Sequence, residues 1–227
     1  MRTFLLVFFL FAAISTAITQ SSYRVGFLPG INLNTRIKGD WRLNFRTESR
    51  FFFAEGGENL PVESGFDFDL IDFATVISRK VSANQTAGVG YLTRLRSNGV
   101  VNHRFIQQYT IVKKYETWRL AHRISTDQTS DPEGPWTYRL RYRLAAEWAL
   151  NGMEVDPREW YLKLNHEYLG SMEGKEADLE MRLVPALGFA FTDANKLECG
   201  LDYRVNNWIQ GQPRHVYWLA VSWFVSL

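Results

Sequence analysis

Residues 41–51 read WRLNFRTESRF, and for the whole stretch apolar and ionic side chains alternate. Trp41, Leu43, Phe45 and Phe51 share one phase with Thr47 and Ser49, while Arg42, Asn44, Arg46, Glu48 and Arg50 take the other. A period of two is that of a β-strand with one oily and one charged face. A soluble sandwich would bury the oily face and hydrate the charges. A transmembrane barrel would turn the oily face to lipid and the charges to its lumen.

The same grammar recurs. Ile31, Leu33, Thr35 and Ile37 alternate with polar residues, as do Ala87 to Leu95 against Gly88, Gly90, Arg94 and Arg96. Tyr138, Leu140, Tyr142, Leu144 and Trp148 oppose Arg139, Arg141, Arg143 and Glu147. Trp160 to Leu164, Leu179 to Phe191, Leu197 to Val205 and His215 to Leu227 continue the pattern. Direct counting gives eleven strand candidates, and bacterial single-chain barrels carry even numbers. Taking Tyr23 to Phe27 as a separate short strand before Pro29-Gly30 predicts twelve, with ten as the alternative.

The 227 residues, 46% of them hydrophobic, suffice for one large all-β domain. A formal charge of +2, with arginines and acids interspersed, excludes a nucleic-acid footprint. Arg2, the apolar run Phe4 to Ile14 and the small residues Ser15-Thr16-Ala17 read as a secretory signal peptide over residues 1–17, leaving a mature domain of residues 18–227. The single cysteine, Cys199, forms no intramolecular disulfide. Beyond the leader no apolar run is long enough for a spanning helix, so a membrane location requires a barrel.

Connections alternate in length. Short ones are expected near Lys38 to Asp40, Val81 to Gln85, Lys113 to Glu116 and Thr192 to Lys196, with a longer exception near Asn151 to Pro157. Longer polar ones are expected at Ala54 to Gly65, Ser97 to Val100, Asp127 to Pro135, Gly170 to Ala177 and Asn207 to Pro213. Short periplasmic turns and longer outer loops are the habit of outer-membrane barrels. Aromatics make up 15% of the chain, and Trp41, Trp118, Trp148, Trp160, Tyr217 and Trp223 are candidates for the membrane-interface girdles.

The charges decide between sandwich and barrel. Strand positions favour arginine over lysine, and arginine keeps its charge and makes bidentate pairs in a crowded, partly buried space. The lumen-lining candidates are therefore Arg42, Arg46, Glu48, Arg50, Arg94, Arg96, Arg139, Arg141, Arg143, Glu147, Arg182 and Arg204. Together these readings predict an all-β, single antiparallel up-and-down transmembrane β-barrel.

"FRTESR", "HRFIQQY", "LAHRISTDQ", "NHEYL" and "LGFAFTDANKLECGLDYR", in this order, resemble the bacterial outer-membrane barrel family catalogued as domain-of-unknown-function 2490 (DUF2490). The likeness spans about Val25 to Leu227. It implies an outer-membrane barrel and brings no activity with it. The chain departs from barrels that end in an aromatic residue, since its last residues are "WFVSL".

Chemistry is harder to find. His103, His122, His166 and His215 all fall in strands, but no GxSxG element ties a serine to any of them. HExxH and cysteine pairs are absent from the sequence, and in "NHEY" the adjacent side chains point to opposite faces. The sequence therefore predicts no enzyme, no metal and no cofactor. The expected partners are the outer-membrane lipid bilayer and the barrel assembly machinery, with the protein a monomer. Two functions remain open: a small passive pore for polar or anionic solutes, or a non-conducting structural or adhesion barrel. A lipid-active enzyme is the third.

Overall fold

The computed structural model describes residues 21–57, 60–132 and 134–227; the predicted signal segment lies outside them. Strand follows strand without a helix among the described residues. They are β1 (Ser22–Lys38), β2 (Trp41–Gly57), β3 (Leu60–Ser82), β4 (Gln85–Arg96), β5 (Val101–Lys114), β6 (Trp118–Ser130), β7 (Thr137–Ala149), β8 (Glu159–Glu173), β9 (Glu176–Ala190), β10 (Asn195–Asn206) and β11 (Arg214–Ser226). Each pairs antiparallel with the next, and β1 closes the barrel by pairing with β11 in parallel.

The count is therefore eleven among the described residues, not twelve or ten. Tyr23 to Phe27 is no separate strand; it lies in the first third of β1. Pro29 lacks an N–H and interrupts the ladder to β2, where pairing stops at Phe27↔Phe51 and resumes in the same register at Gly30↔Glu48. On its other side β1 stays paired to β11 through Leu28↔Ala220 and Pro29↔Val221. An up-and-down meander with an odd number of strands starts and finishes in the same direction. The closing pair must then be parallel.

The loops depart from expectation as well. Ala54 to Gly65 is largely paired, with Ala54↔Ser64 and Glu55↔Glu63 joining β2, still paired to β1, to a stretch of β3 that runs past the end of β4. Gly170 to Ala177 is likewise strand, folding back at Gly174-Lys175, where Gly174 has φ 59°. Glycine and charge imitate a loop here because bulges and exposed ribbons share that composition. The long connection at residues 150–158 lies on the same end as the tight turns at 39–40 and 83–84. This is called the turn end below, and the opposite one the ribbon end.

One face of every strand looks outward and is apolar, with Ile31, Phe45, Phe73, Ile77, Val89, Phe105, Ile124, Leu140, Leu162, Leu187, Leu201 and Leu219 all exposed. The other face fills the barrel. Two inward aromatics sit on glycines of the neighbouring strand. Trp218 covers Gly26 across the closing seam, and Tyr161 covers Gly188. Both rings are buried, at 2% and 1% exposure, and Trp218 joins Leu28, Val216, Phe52 and Ala220 in an apolar cluster that locks β1, β2 and β11 together.

A methyl group at Gly26 would lie 2.3 Å from the Phe51 carbonyl oxygen and 2.5 Å from the Trp218 ring. Gly26→Ala should therefore cost about 1–3 kcal/mol as an overpacked contact. Gly170→Ala, where a methyl meets nothing within 4 Å, should leave stability unchanged. Urea unfolding of the refolded barrel, followed by tryptophan fluorescence, compares the two.

Candidate functional site

The lumen is where charged side chains meet, and strand register decides which ones. A row of paired inward residues crosses five strands, running Arg123, Arg143, Glu167, Arg182 and Arg204. Like charges directly opposite on neighbouring strands repel. Here arginine faces arginine twice, and one carboxylate stands between the pairs.

That carboxylate, Glu167, is 2% exposed and acts as a hub. Its Oε2 accepts from Arg143 Nε at 2.6 Å, and its Oε1 lies 3.3 Å from Arg182 Nη1 and 3.5 Å from Arg141 Nε. Asp127 is a second hub at 3% exposure. It accepts from Arg139 Nε at 2.5 Å and lies 3.6 Å from both Arg104 and Arg141. Arg141 thus touches both hubs. The hydroxyl of Thr129 accepts from Arg104 and Arg139, completing the inner lattice on this wall.

Elsewhere in the lumen the pairs are simpler. Arg94 grips Asp72 with two bonds of 2.7 Å, and Arg204 grips Asp202 at 2.9 and 2.7 Å. Such bidentate geometry is open to arginine and closed to lysine. Arg182 pairs with Glu180, and Arg50 lies 3.4 Å from Glu48. Toward the turn end, Glu198 accepts from Lys163 at 2.7 Å and from the Tyr161 hydroxyl at 2.9 Å, while Arg119 reaches Glu147 at 2.9 Å.

Arginine exceeds carboxylate in this space. Arg46 and Arg123 make no ion pair with any described residue; Arg123 donates only to the Thr110 hydroxyl at 3.2 Å. The two stand four strands apart, on β2 and β6, yet Arg46 and Arg143 both act on Arg123 electrostatically. The lumen therefore carries surplus positive charge.

Of the predicted lumen residues, Arg46, Glu48, Arg50, Arg94, Arg139, Arg141, Arg143, Arg182 and Arg204 face this interior, with Glu147 nearer the turn end. Arg42 and Arg96 do not join the lattice. Arg42 is exposed at the turn-end rim, and Arg96 is exposed at the ribbon-end rim, where it donates to Asn102. Sequence reading missed Asp72, Asp127, Glu167, Arg104, Arg123, Tyr161 and Trp218. The parity of "STDQ" and "NHEY" already places Asp127 and Glu167 on the inward phase, but one acid per strand is an inconspicuous mark.

The predicted interface aromatics all point outward, but not symmetrically. Trp41, Trp118, Trp148, Trp160 and Trp223 gather at the turn end, where Trp118 stacks on Tyr115 and Trp148. Tyr217 lies nearer the ribbon end, stacked on Tyr203. The histidines share the outer wall, each against a tyrosine. Nδ1 of His103, His122 and His215 is hydrogen-bonded to the hydroxyl of Tyr91, Tyr142 and Tyr203 respectively, and His166 packs on Tyr168. Gly88 and Gly90 face inward where a methyl would crowd Ser78 and Val76. No group of three or more potential metal ligands occurs among the described residues.

Removing one partner of a buried ion pair costs about 3–5 kcal/mol, because the other is left uncompensated. Glu167→Gln should therefore destabilise the barrel by this order, and adding Arg143→Gln to it should recover part of the loss. A double-mutant cycle of urea midpoints checks the sign and size of the coupling.

Comparison with known proteins gives a family match. The family model described as Protein of unknown function (DUF2490) covers residues 26–214, from within β1 to the first residue of β11. No curated protein and no solved structure matches the chain. With most of its length covered by that model, the chain belongs to the DUF2490 family of proteins of unknown function.

Proposed function

We propose that the protein is an integral outer-membrane barrel whose lumen is closed at rest by its own ion pairs, a non-conducting surface barrel rather than an open pore. The membrane reading rests on the outer wall. An apolar belt with tryptophans gathered at its turn end suits lipid, and the shortest strands, of 12 residues, exceed the roughly 9–11 needed to cross a bilayer. The leader-like residues 1–17 supply export, and assembly into the membrane would fall to the barrel assembly machinery.

The closed lumen rests on Glu167. At 2% exposure, with three guanidinium groups from the two flanking strands converging on it, this carboxylate supports an interior filled by its own side chains. Eleven strands make a barrel wider than the side-chain-filled eight-stranded size and far narrower than the porins. Long arginine side chains suit an interior of that width.

The protein is also read as non-enzymatic. Three histidines spend Nδ1 on a tyrosine, and among the described residues no hydrogen bond joins a serine to a histidine. A second reading, an anion pore, is favoured by one observation: the surplus charge of Arg46 and Arg123 would select anions if water became continuous.

Planar-bilayer recording tests the choice. Wild-type protein should insert and give no unitary steps, whereas Glu167→Gln should give steps whose reversal potential in a salt gradient is anion-selective. Steps of stable size in the wild type, reduced in anion preference by Arg123→Gln, would replace the closed barrel with the pore.

A further inference from the structure

On the outer wall a cleft of about 600 Å³ opens to the outside across β2 to β6. That volume lies within the ~300–1,000 Å³ of small-molecule sites. Register explains the dent. One outward row runs Trp41, Arg79, Ala87, Tyr109 and Ile124, and the next row toward the middle of the barrel runs Ile77, Val89, Gln107 and Thr126. Ala87 and Val89 are short, and the flanking side chains are long. The floor sinks between them.

The two ends of the cleft differ in chemistry. At the turn-end rim Arg79 makes no ion pair with a described residue, and its guanidinium lies 5.6 Å from the centroid of the Trp41 ring. An arginine on the apolar wall of a barrel is costly unless it sits at headgroup level or meets an anion. Toward the middle, the Thr126 hydroxyl donates to Gln107 at 2.7 Å, and Gln107 and Gln128 exchange hydrogen bonds of 3.1 Å. These polar groups satisfy one another, so the inner end of the cleft asks for no polar partner. Between the ends the lining is apolar.

A cation at the rim, an indole beside it and an apolar trough leading inward match a molecule with an anionic head and a hydrocarbon tail. We infer that this cleft holds one glycerophospholipid, its phosphate on Arg79 and one acyl chain along the trough over Val89. The inference rests on the membrane reading above. The charge at the rim favours a lipid over a second copy of the chain, whose own cleft would bring Arg79 against Arg79 across a two-fold axis.

Native mass spectrometry of the refolded barrel in non-ionic detergent tests it, with dioleoylphosphatidylglycerol as probe and dioleoylglycerol, which has the same chains and no phosphate, as control. Wild type should retain one phosphatidylglycerol and little dioleoylglycerol. Arg79→Gln should weaken retention at least fivefold, and Val89→Trp, which fills the trough, should abolish it. Leu201→Trp, on β10 at the opposite wall, should change nothing. Equal retention by wild type, Arg79→Gln and Val89→Trp, or equal binding of the phosphate-free control, overturns the site. So does a dimer that Val89→Trp dissociates. A detergent-dependent barrel that retains no lipid removes this inference alone, whereas a barrel that stays monodisperse without detergent removes the membrane reading and this site together.

Discussion

Repulsion among arginines is the constraint on which the rest of the barrel depends. Once β6 to β10 are in register, Arg123, Arg143, Arg182 and Arg204 share one row of a confined interior. In a low-dielectric space that row is untenable without buried counter-charge. Glu167 supplies it within the row, while Asp202 and Glu180 supply it diagonally along the strands. Because Glu167 is shared by arginines of β7 and β9, those strands and β8 are held to one register by electrostatics as well as by backbone bonds. A slip of one residue would turn every arginine toward the outer wall.

The odd strand count bears on the same lattice. Closing eleven strands leaves a parallel seam, whose bonds are slanted and somewhat less stable per residue than antiparallel ones. The seam is also where the interior is most apolar. Trp218 lies over Gly26 and against Phe52, and Arg50 and Arg204 stand 5.9 and 5.8 Å from its ring. Packing thus takes over where ion pairs thin out, and the aromatic ring faces charge on one side and strand on the other.

Much of this architecture was legible from alternation alone. WRLNFRTESRF told both faces of β2 correctly, and the arginine ladders of β2 and β7 announced a crowded ionic interior. What stayed hidden has physical reasons. Strand number turned on Pro29, whose missing N–H looks like a break in sequence but costs one side of the ladder only. The ribbon at Ala54 to Gly65 looked like a loop because glycine, proline and charge gather where β3 runs past the end of β4. Glu167 and Asp127 carry no local mark of importance, since a hub is made by neighbours far away in sequence. The Tyr–His pairs on the outer wall depend on cross-strand register in the same way, and so does the cleft beside Arg79.

The parallel seam also sets an order of assembly. Its two strands, Ser22–Lys38 and Arg214–Ser226, stand at opposite extremes of the described chain, so their pairing closes the longest loop in the molecule and waits for all other hairpins. Until then β1 and β11 both present open edges, the template for pairing with another chain. Growth from either end through hairpins leaves the seam as the last gate, and a chain cut short before Arg214 would be an open sheet with no partner for Trp218's glycine. The molecule thus carries two unsatisfied strand edges until its final step of closure.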